Sequence, residues 1–218
     1  MKKTSTAGAM TTLYYVHDPM CSWCWGFRPV WQELLAKLSS HVPDNMQVRY
    51  VLGGLAGDTD ELMPQTMQHT ISSIWQQIQT SIPGTEFNYA FWEKCKPRRS
   101  TYPSCRAVIA AKQQGAEYEE AMILAIQQAY YLQAKNTSNQ SVLVDIAEDI
   151  GLNHDSFEKD LVSSEVNQEL LANISLSHQL GAQGFPCLIL DSAGERSLVA
   201  IDYKRVDGML GDILKQVK

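Results

Sequence analysis

Two cysteines stand three positions apart in Asp18-Pro19-Met20-Cys21-Ser22-Trp23-Cys24-Trp25. A pair at this spacing is a dithiol suited to redox chemistry when it falls where a strand passes into a helix. The run Leu13-Tyr14-Tyr15-Val16 before it has strand character, and the residues after it repeat at helical spacing. Cys21 is therefore expected at the first helical turn, where unpaired backbone N–H groups and the positive end of the helix dipole stabilise a thiolate. The thiolate is the reactive form. Cys24 falls one turn deeper, placed to attack a mixed disulfide formed at Cys21 and release the product. Cys21 is expected to be the exposed nucleophile and Cys24 the buried resolver.

The competing use of such a pair is half of a zinc site. Zinc takes four ligands, mostly from paired motifs. Cys95, Cys105 and Cys187 supply no second pair at that spacing. No metal is expected. Cys187 reads as a small apolar core residue. Cys95 and Cys105 flank a basic loop that includes Lys96, Arg98 and Arg99. The favoured reading there is a solvated loop with Cys105 in a helix core. A second disulfide, or a docking surface for an anionic substrate such as glutathione, is the alternative.

The chain has 218 residues, 44% hydrophobic and 19% charged, as ordinary globular proteins do. Its net charge of −6 argues against a nucleic-acid partner. No apolar run is long enough to span a membrane, and residues 1–10 carry no apolar stretch of the kind a secretory signal needs. An odd number of cysteines, five, leaves at least one unpaired. These features fit the cytoplasm, where a disulfide is catalytic or sensory.

The elements that would position the dithiol follow in order. Residues 1–10 read as a disordered tail, 12–17 as a strand and the segment after Cys21 as a helix interrupted at Pro29. Pro43-Asp44-Asn45 reads as a turn before a strand over 46–52. From about 64 to 181 the pattern is helical, with Met63, Met67, Ile71, Ile74, Ile78 and Ile82 on one face. Helices are expected near 103–114, 117–133 and 139–150. Gly151 reads as a stop, Asp155 with Glu158 as a capping box, and Ser164 as a further cap. A strand at 186–190, a turn at 191–195, a partner strand at 197–201 and a helix from Val206 close the chain. The implied architecture is α/β, a four-stranded mixed sheet with a helical insertion.

That order, with the cysteine pair at the first helix and a proline opening the third strand, resembles the thioredoxin fold. The large all-helical insertion resembles its DsbA-like branch. Cys21-Ser22-Trp23-Cys24 matches the active site of that family and Gly184-Phe185-Pro186 its cis-proline loop. The wording from Asp18 to Cys24 is similar to that of the cytoplasmic, FrnE-like proteins called predicted protein-disulfide isomerases. The resemblance implies a discontinuous thioredoxin-like domain over 11–60 and 182–218, with a helical domain over 61–181 inserted.

It further implies a thiol–disulfide oxidoreductase or isomerase acting on protein, peptide or small-thiol disulfides. Cys21, Cys24 and Pro186 would be catalytic. Phe185, Trp23 and Ser22 would meet substrate; Trp23 and Trp25 either form an apolar collar for unfolded peptide, or Trp23 is merely exposed and Trp25 lies in the core. From its position alone, four residues before Cys21, His17 either tunes the thiolate when protonated or is a strand-end histidine facing water. No cofactor is implied beyond the redox-active disulfide, with glutathione as a candidate co-substrate. Two alternatives stand beside this reading. One is a glutathione-dependent transferase or isomerase of the kappa type, which places a serine where Cys21 stands. The other is a redox-sensing holdase or adaptor. Ser22 and Trp23 lack the histidine that the strong oxidant of the family carries between its cysteines. The redox potential is therefore expected between about −120 mV and about −270 mV, the values of that oxidant and of thioredoxin.

Overall fold

The first strand, β1 (Thr11–His17), is buried on both faces. Its side chains alternate between two cores, as a period of two requires. Leu13 and Tyr15 enter one, Tyr14 and Val16 the other. Such a strand belongs at the centre of a sheet, and β1 lies between β2 (Met46–Leu52) and β3 (Cys187–Ser192). It pairs parallel with β2, Thr11 opposite Met46, and antiparallel with β3, Val16 opposite Cys187. The edge strand β4 (Glu195–Val199) pairs antiparallel with β3, giving the order β2-β1-β3-β4. This computed structural model describes residues 10–41 and 46–217. The expected tail, except Met10, and the expected turn at Pro43-Asp44-Asn45 lie outside the described residues.

A parallel pair needs a crossover, and α1 (Ser22–His41) supplies it between β1 and β2. Its buried stripe of Phe27, Val30, Trp31, Leu34 and Leu38 packs on one sheet face, together with Met209 and Ile213 of the closing helix α9 (Asp207–Gln216). Pro29 is accommodated within the helix.

Seven helices separate β2 from β3 among the described residues: α2 (Gln65–Ser81), α3 (Phe91–Lys94), α4 (Tyr102–Gln114), α5 (Glu117–Tyr131), α6 (Gln140–Asp149), α7 (His154–Leu161) and α8 (Ser164–Gln179). Helices α4 to α8 share a core of Val108, Met122, Ile126, Leu143, Phe157 and Leu170. Helix α8 also reaches the sheet, where the Asn173 amide oxygen accepts from the Leu52 N–H at 3.3 Å.

Two caps sit one or two residues before their expected places. Asn153, not Asp155, caps α7 by accepting from the Ser156 N–H. Ser163, not Ser164, caps α8 by accepting from the Val166 N–H. Each stands in extended backbone before the first helical residue, where its side-chain oxygen can turn back to the third N–H. Gly151 adopts a left-handed φ of 86°, the expected stop, and Leu152 is buried behind it.

A fourth core joins the helical segment to the start of α1. Trp75, fully buried, stacks on Phe87 at 4.9 Å and meets Tyr89, Phe91, Trp92, Tyr130 and Tyr131 edge-on or tilted. Its indole N–H has no hydrogen-bond partner, so Trp75 acts here through shape and area alone. Trp75→Ala should cost about 3–5 kcal/mol of stability in urea unfolding. Trp75→Phe should cost clearly less, because no hydrogen bond is lost with the indole.

Candidate active site

The turn between β1 and α1 is built by Asp18. Its carboxylate Oδ1 accepts from the Met20 N–H at 2.8 Å, and its carbonyl accepts from the Cys21 N–H at 3.0 Å. The chain thereby reverses so that Cys21 becomes the residue before the helix. Its Sγ takes the capping position that a serine oxygen usually fills, accepting from the Cys24 N–H at 3.4 Å. The Cys21 carbonyl accepts from Trp25 N–H at 3.0 Å, opening the helical ladder. The first sulfur thus meets one N–H of the helix start, that of Cys24.

The second side of the site comes from the loop before β3. The Phe185–Pro186 peptide bond is cis. The Phe185 carbonyl accepts from the Cys21 thiol at 3.4 Å, so one sulfur touches both segments. Phe185 is half-buried, packed with Val16, Val51, Leu180 and Ile189. Its ring lies against Gly53, where any Cβ would overlap it. Glycine is needed at that position for this close approach.

The two cysteines differ, though less in exposure than expected. Cys21 is itself buried, 6% exposed, and Cys24 is 0% exposed. Cys21 is enclosed because its sulfur is clasped between the Cys24 N–H and the Phe185 carbonyl. Burial, the neighbouring Cys21 and the charge of Asp18 push the Cys24 thiol well up, against the pull of the Asp18 backbone N–H. Cys24 is a protonated thiol at neutral pH. The Tyr15 hydroxyl beside the pair is pushed well up by burial and by the charges of both cysteines, so it too stays protonated.

Around the pair, Ser22 and Trp23 are partly exposed, and Trp23 packs on Tyr203 at 5.4 Å. Trp25 is half-buried rather than core. Its indole N–H donates to the Glu86 carbonyl at 3.0 Å, which keeps one edge of the ring near the surface, while its face stacks on Tyr131. All five cysteines are free thiols. Cys95 donates to the Ala134 carbonyl at 3.1 Å and Cys105 lies in the buried face of α4 against Asp18. Arg98 is engaged by Asp60 and by the Ser138 carbonyl. The loop is thus partly tied down, with Cys105 in a helix core as favoured. Cys187 is half-buried, and burial pushes its thiol up. Among the described residues no cluster of side chains has the makings of a metal site.

His17 corrects an expectation. It is fully buried, stacked on Tyr15 at 4.9 Å, and neither ring nitrogen has a partner. Burial, helped by the positive charge of Arg28, lowers its pKa to about 3. A protonated His17 is therefore absent near neutrality and does not tune the dithiol by charge.

Asp18 shapes the turn of the site, a place the sequence reading did not assign to it. It is 0% exposed. Besides Met20, its carboxylate accepts from the Leu55 N–H and the Thr101 hydroxyl, each at 2.7 Å, and from the Cys105 thiol at 3.5 Å. Burial raises its pKa and these donors oppose the rise. The available signal was an acid placed directly between an apolar strand and a proline, where an aspartate closes a turn on its own backbone.

The family profile described as Thioredoxin matches residues 14–203, and the chain belongs to that family. A candidate protein disulfide isomerase of Nitrosomonas europaea is 28% identical and superposes with a TM-score of 0.80, covering 95% of this chain and 98% of its own. The cytosolic disulfide reductase DsbM of Pseudomonas aeruginosa, 24% identical over 94% of this chain and 98% of its own, shares the fold with a TM-score of 0.73. The ClpXP adapter protein SpxH of Bacillus subtilis is 25% identical over 81% of this chain. The chain spans 56% of that relative's length.

The His17 geometry carries a pH consequence. Between the ordinary histidine value of about 6.5 and a folded-state value of about 3, the unfolded chain binds a proton that the folded chain refuses. Stability contributed here is present above about 6.5 and is lost as pH falls through that window. The urea midpoint of the wild type should therefore fall more between about pH 7 and about pH 4.5 than that of His17→Phe. Equal slopes would contradict a buried neutral His17.

Proposed function

We propose that this chain is a thiol–disulfide oxidoreductase of the DsbA kind, acting on protein or peptide disulfides in the reducing cytoplasm through Cys21 and Cys24. The observation that carries the reading is the asymmetry of the dithiol. One sulfur is held by a helix-start N–H and the carbonyl before Pro186, while the other is sealed beneath it as a thiol. The five free thiols fit a reducing compartment. Among the described residues no helix is long and apolar enough to cross a membrane.

In the proposed cycle the Cys21 thiolate attacks one sulfur of a substrate disulfide. A mixed disulfide forms at Cys21, and the other substrate sulfur leaves as a thiolate and takes a proton. Cys24 then passes its proton through a water to Asp18, whose charge reaches it, and attacks the Cys21 sulfur. The Cys21–Cys24 bond forms, and the second substrate sulfur leaves and is protonated. The substrate gains two electrons and the dithiol loses them. Two small thiols of the glutathione class restore the dithiol in succession and leave joined as their own disulfide. The Phe185–Pro186 loop aligns the substrate chain beside Cys21, and Trp23 with Ser22 forms the partly exposed lip it meets. Isomerisation uses the same first step, after which a substrate thiolate attacks the mixed disulfide, forms a new substrate disulfide and releases the Cys21 thiolate, with no net electron transfer.

Cys21 stands where a kappa-type transferase has serine, which disfavours that reading. The adaptor reading draws support from the SpxH relatives and needs no turnover. Assay of insulin reduction with a glutathione-based reductant separates it: the oxidoreductase turns over, and an adaptor does not. Cys24→Ser should accumulate a stable mixed disulfide at Cys21, seen as an added substrate mass, and Cys21→Ser should neither turn over nor form adducts. In the reduced wild type Cys21 should be alkylated before Cys24. Faster labelling of Cys24 would reverse the roles.

A further inference from the structure

The helical segment between β2 and β3 makes a direct polar contact with the redox turn at Asp18. Thr101, the residue before α4, is 1% exposed. Its hydroxyl donates to Asp18 Oδ2 at 2.7 Å and accepts from the Ala56 N–H at 3.0 Å. One turn along α4, the Cys105 thiol donates to the same oxygen at 3.5 Å. The Thr101 backbone N–H donates to the Ala56 carbonyl at 2.9 Å, which locks the residues leaving β2 to the start of α4. Every partner of the Asp18 carboxylate is thus a donor: two backbone N–H groups, a hydroxyl and a thiol. A carboxylate accepts all four, whereas a protonated carboxyl would need an acceptor that this shell does not offer.

We propose that Thr101, seconded by Cys105, is a positioning residue for the redox site, holding the Asp18 carboxylate charged and fixed in the turn that sets Cys21 and so making the reactivity of the dithiol depend on the docking of α4. This rests on the oxidoreductase reading only in its consequence for turnover. The placement of Asp18 and its charge stand apart from that reading. Without the Thr101 hydroxyl, Oδ2 would keep the Leu55 N–H and the weaker thiol, in a site where burial already favours the neutral acid. The titratable groups whose charge acts on or is acted on by Asp18 are Cys24 on α1, Tyr102 and Cys105 on α4, and Tyr130 and Tyr131 on α5. All are held protonated by burial, so none replaces the missing donor with a positive charge.

The test follows the Asp18 carboxyl carbon directly by NMR in protein labelled at aspartate, with the resonance assigned by its loss in Asp18→Asn. A hydrogen bond to a charged group is strong enough that its removal should move the titration upward by roughly 1–2 pH units in Thr101→Val. Thr101→Ser, which keeps the hydroxyl, should restore the wild-type titration. Cys105→Ala should move it upward by less, and Cys105→Ser should not move it upward. If Thr101→Val does not fold, the Cys105 pair and Thr101→Ser still decide the matter. The acidic limb of the insulin-reduction pH profile should shift with the NMR titration. An Asp18 titration unchanged in Thr101→Val, or in Cys105→Ala where that is the readable variant, overturns the proposal. So does a Thr101→Ser protein that titrates unlike the wild type. Absence of turnover in wild type, with the NMR shifts as expected, overturns the oxidoreductase reading and leaves the positioning role standing.

Discussion

A single buried carboxylate ties the molecule together at the end of its sheet. Asp18 joins the turn into α1 through Met20, the chain leaving β2 through Leu55, and the helical segment through Thr101 and Cys105. An unpaired buried carboxylate would be costly, and one that accepts several hydrogen bonds is tolerated because its lone pairs are met. The constraint acts in both directions. Three segments far apart in sequence must converge to satisfy Asp18, and their convergence fixes where the dithiol turn sits. The crossover geometry of β1, α1 and β2 alone would leave the loop carrying Leu55 free to choose its path.

From that anchor the asymmetry of the two cysteines follows. Asp18 sets the turn, the turn makes Cys21 the residue before the helix, and the helix start presents the Cys24 N–H to the Cys21 sulfur. Cys24 is carried inward by the first helical turn, where burial and nearby negative charge both oppose its ionisation. Opposite, the Phe185 carbonyl closes on Cys21, seated by a ring that needs Gly53 beneath it. The aromatic cluster around Trp75 supports the same region from the helical side, through Trp25 stacked on Tyr131.

Much of this was legible in the sequence because it is local. Alternation in β1, the helical stripe from Phe27 to Leu38, the cysteine pair and the proline before β3 each announce themselves within a few residues. The cap positions at Asn153 and Ser163 were displaced because several polar residues in a row can each cap, and only the backbone decides which is extended. Longer-range facts were hidden. Nothing near His17 in sequence indicates that the positive charge of Arg28 and full burial keep it neutral. Nothing near Asp18 names Thr101 and Cys105, more than eighty positions away, as its partners. Trp75 falls outside the stripe of isoleucines that reads as the buried face, yet it is the centre of the cluster, since an aromatic core is assembled from several elements at once.

If Cys21 and Cys24 cycle as a redox couple, their reduction potential measures that most directly. The protein would be equilibrated with defined ratios of reduced and oxidised glutathione, and the fraction of Cys21–Cys24 disulfide read by mass after acid quenching. With a helix start but no intervening histidine to favour the thiolate, the potential should fall between about −120 mV and about −270 mV. A pair that stays reduced across all glutathione ratios, or forms its disulfide between other cysteines, would contradict the account.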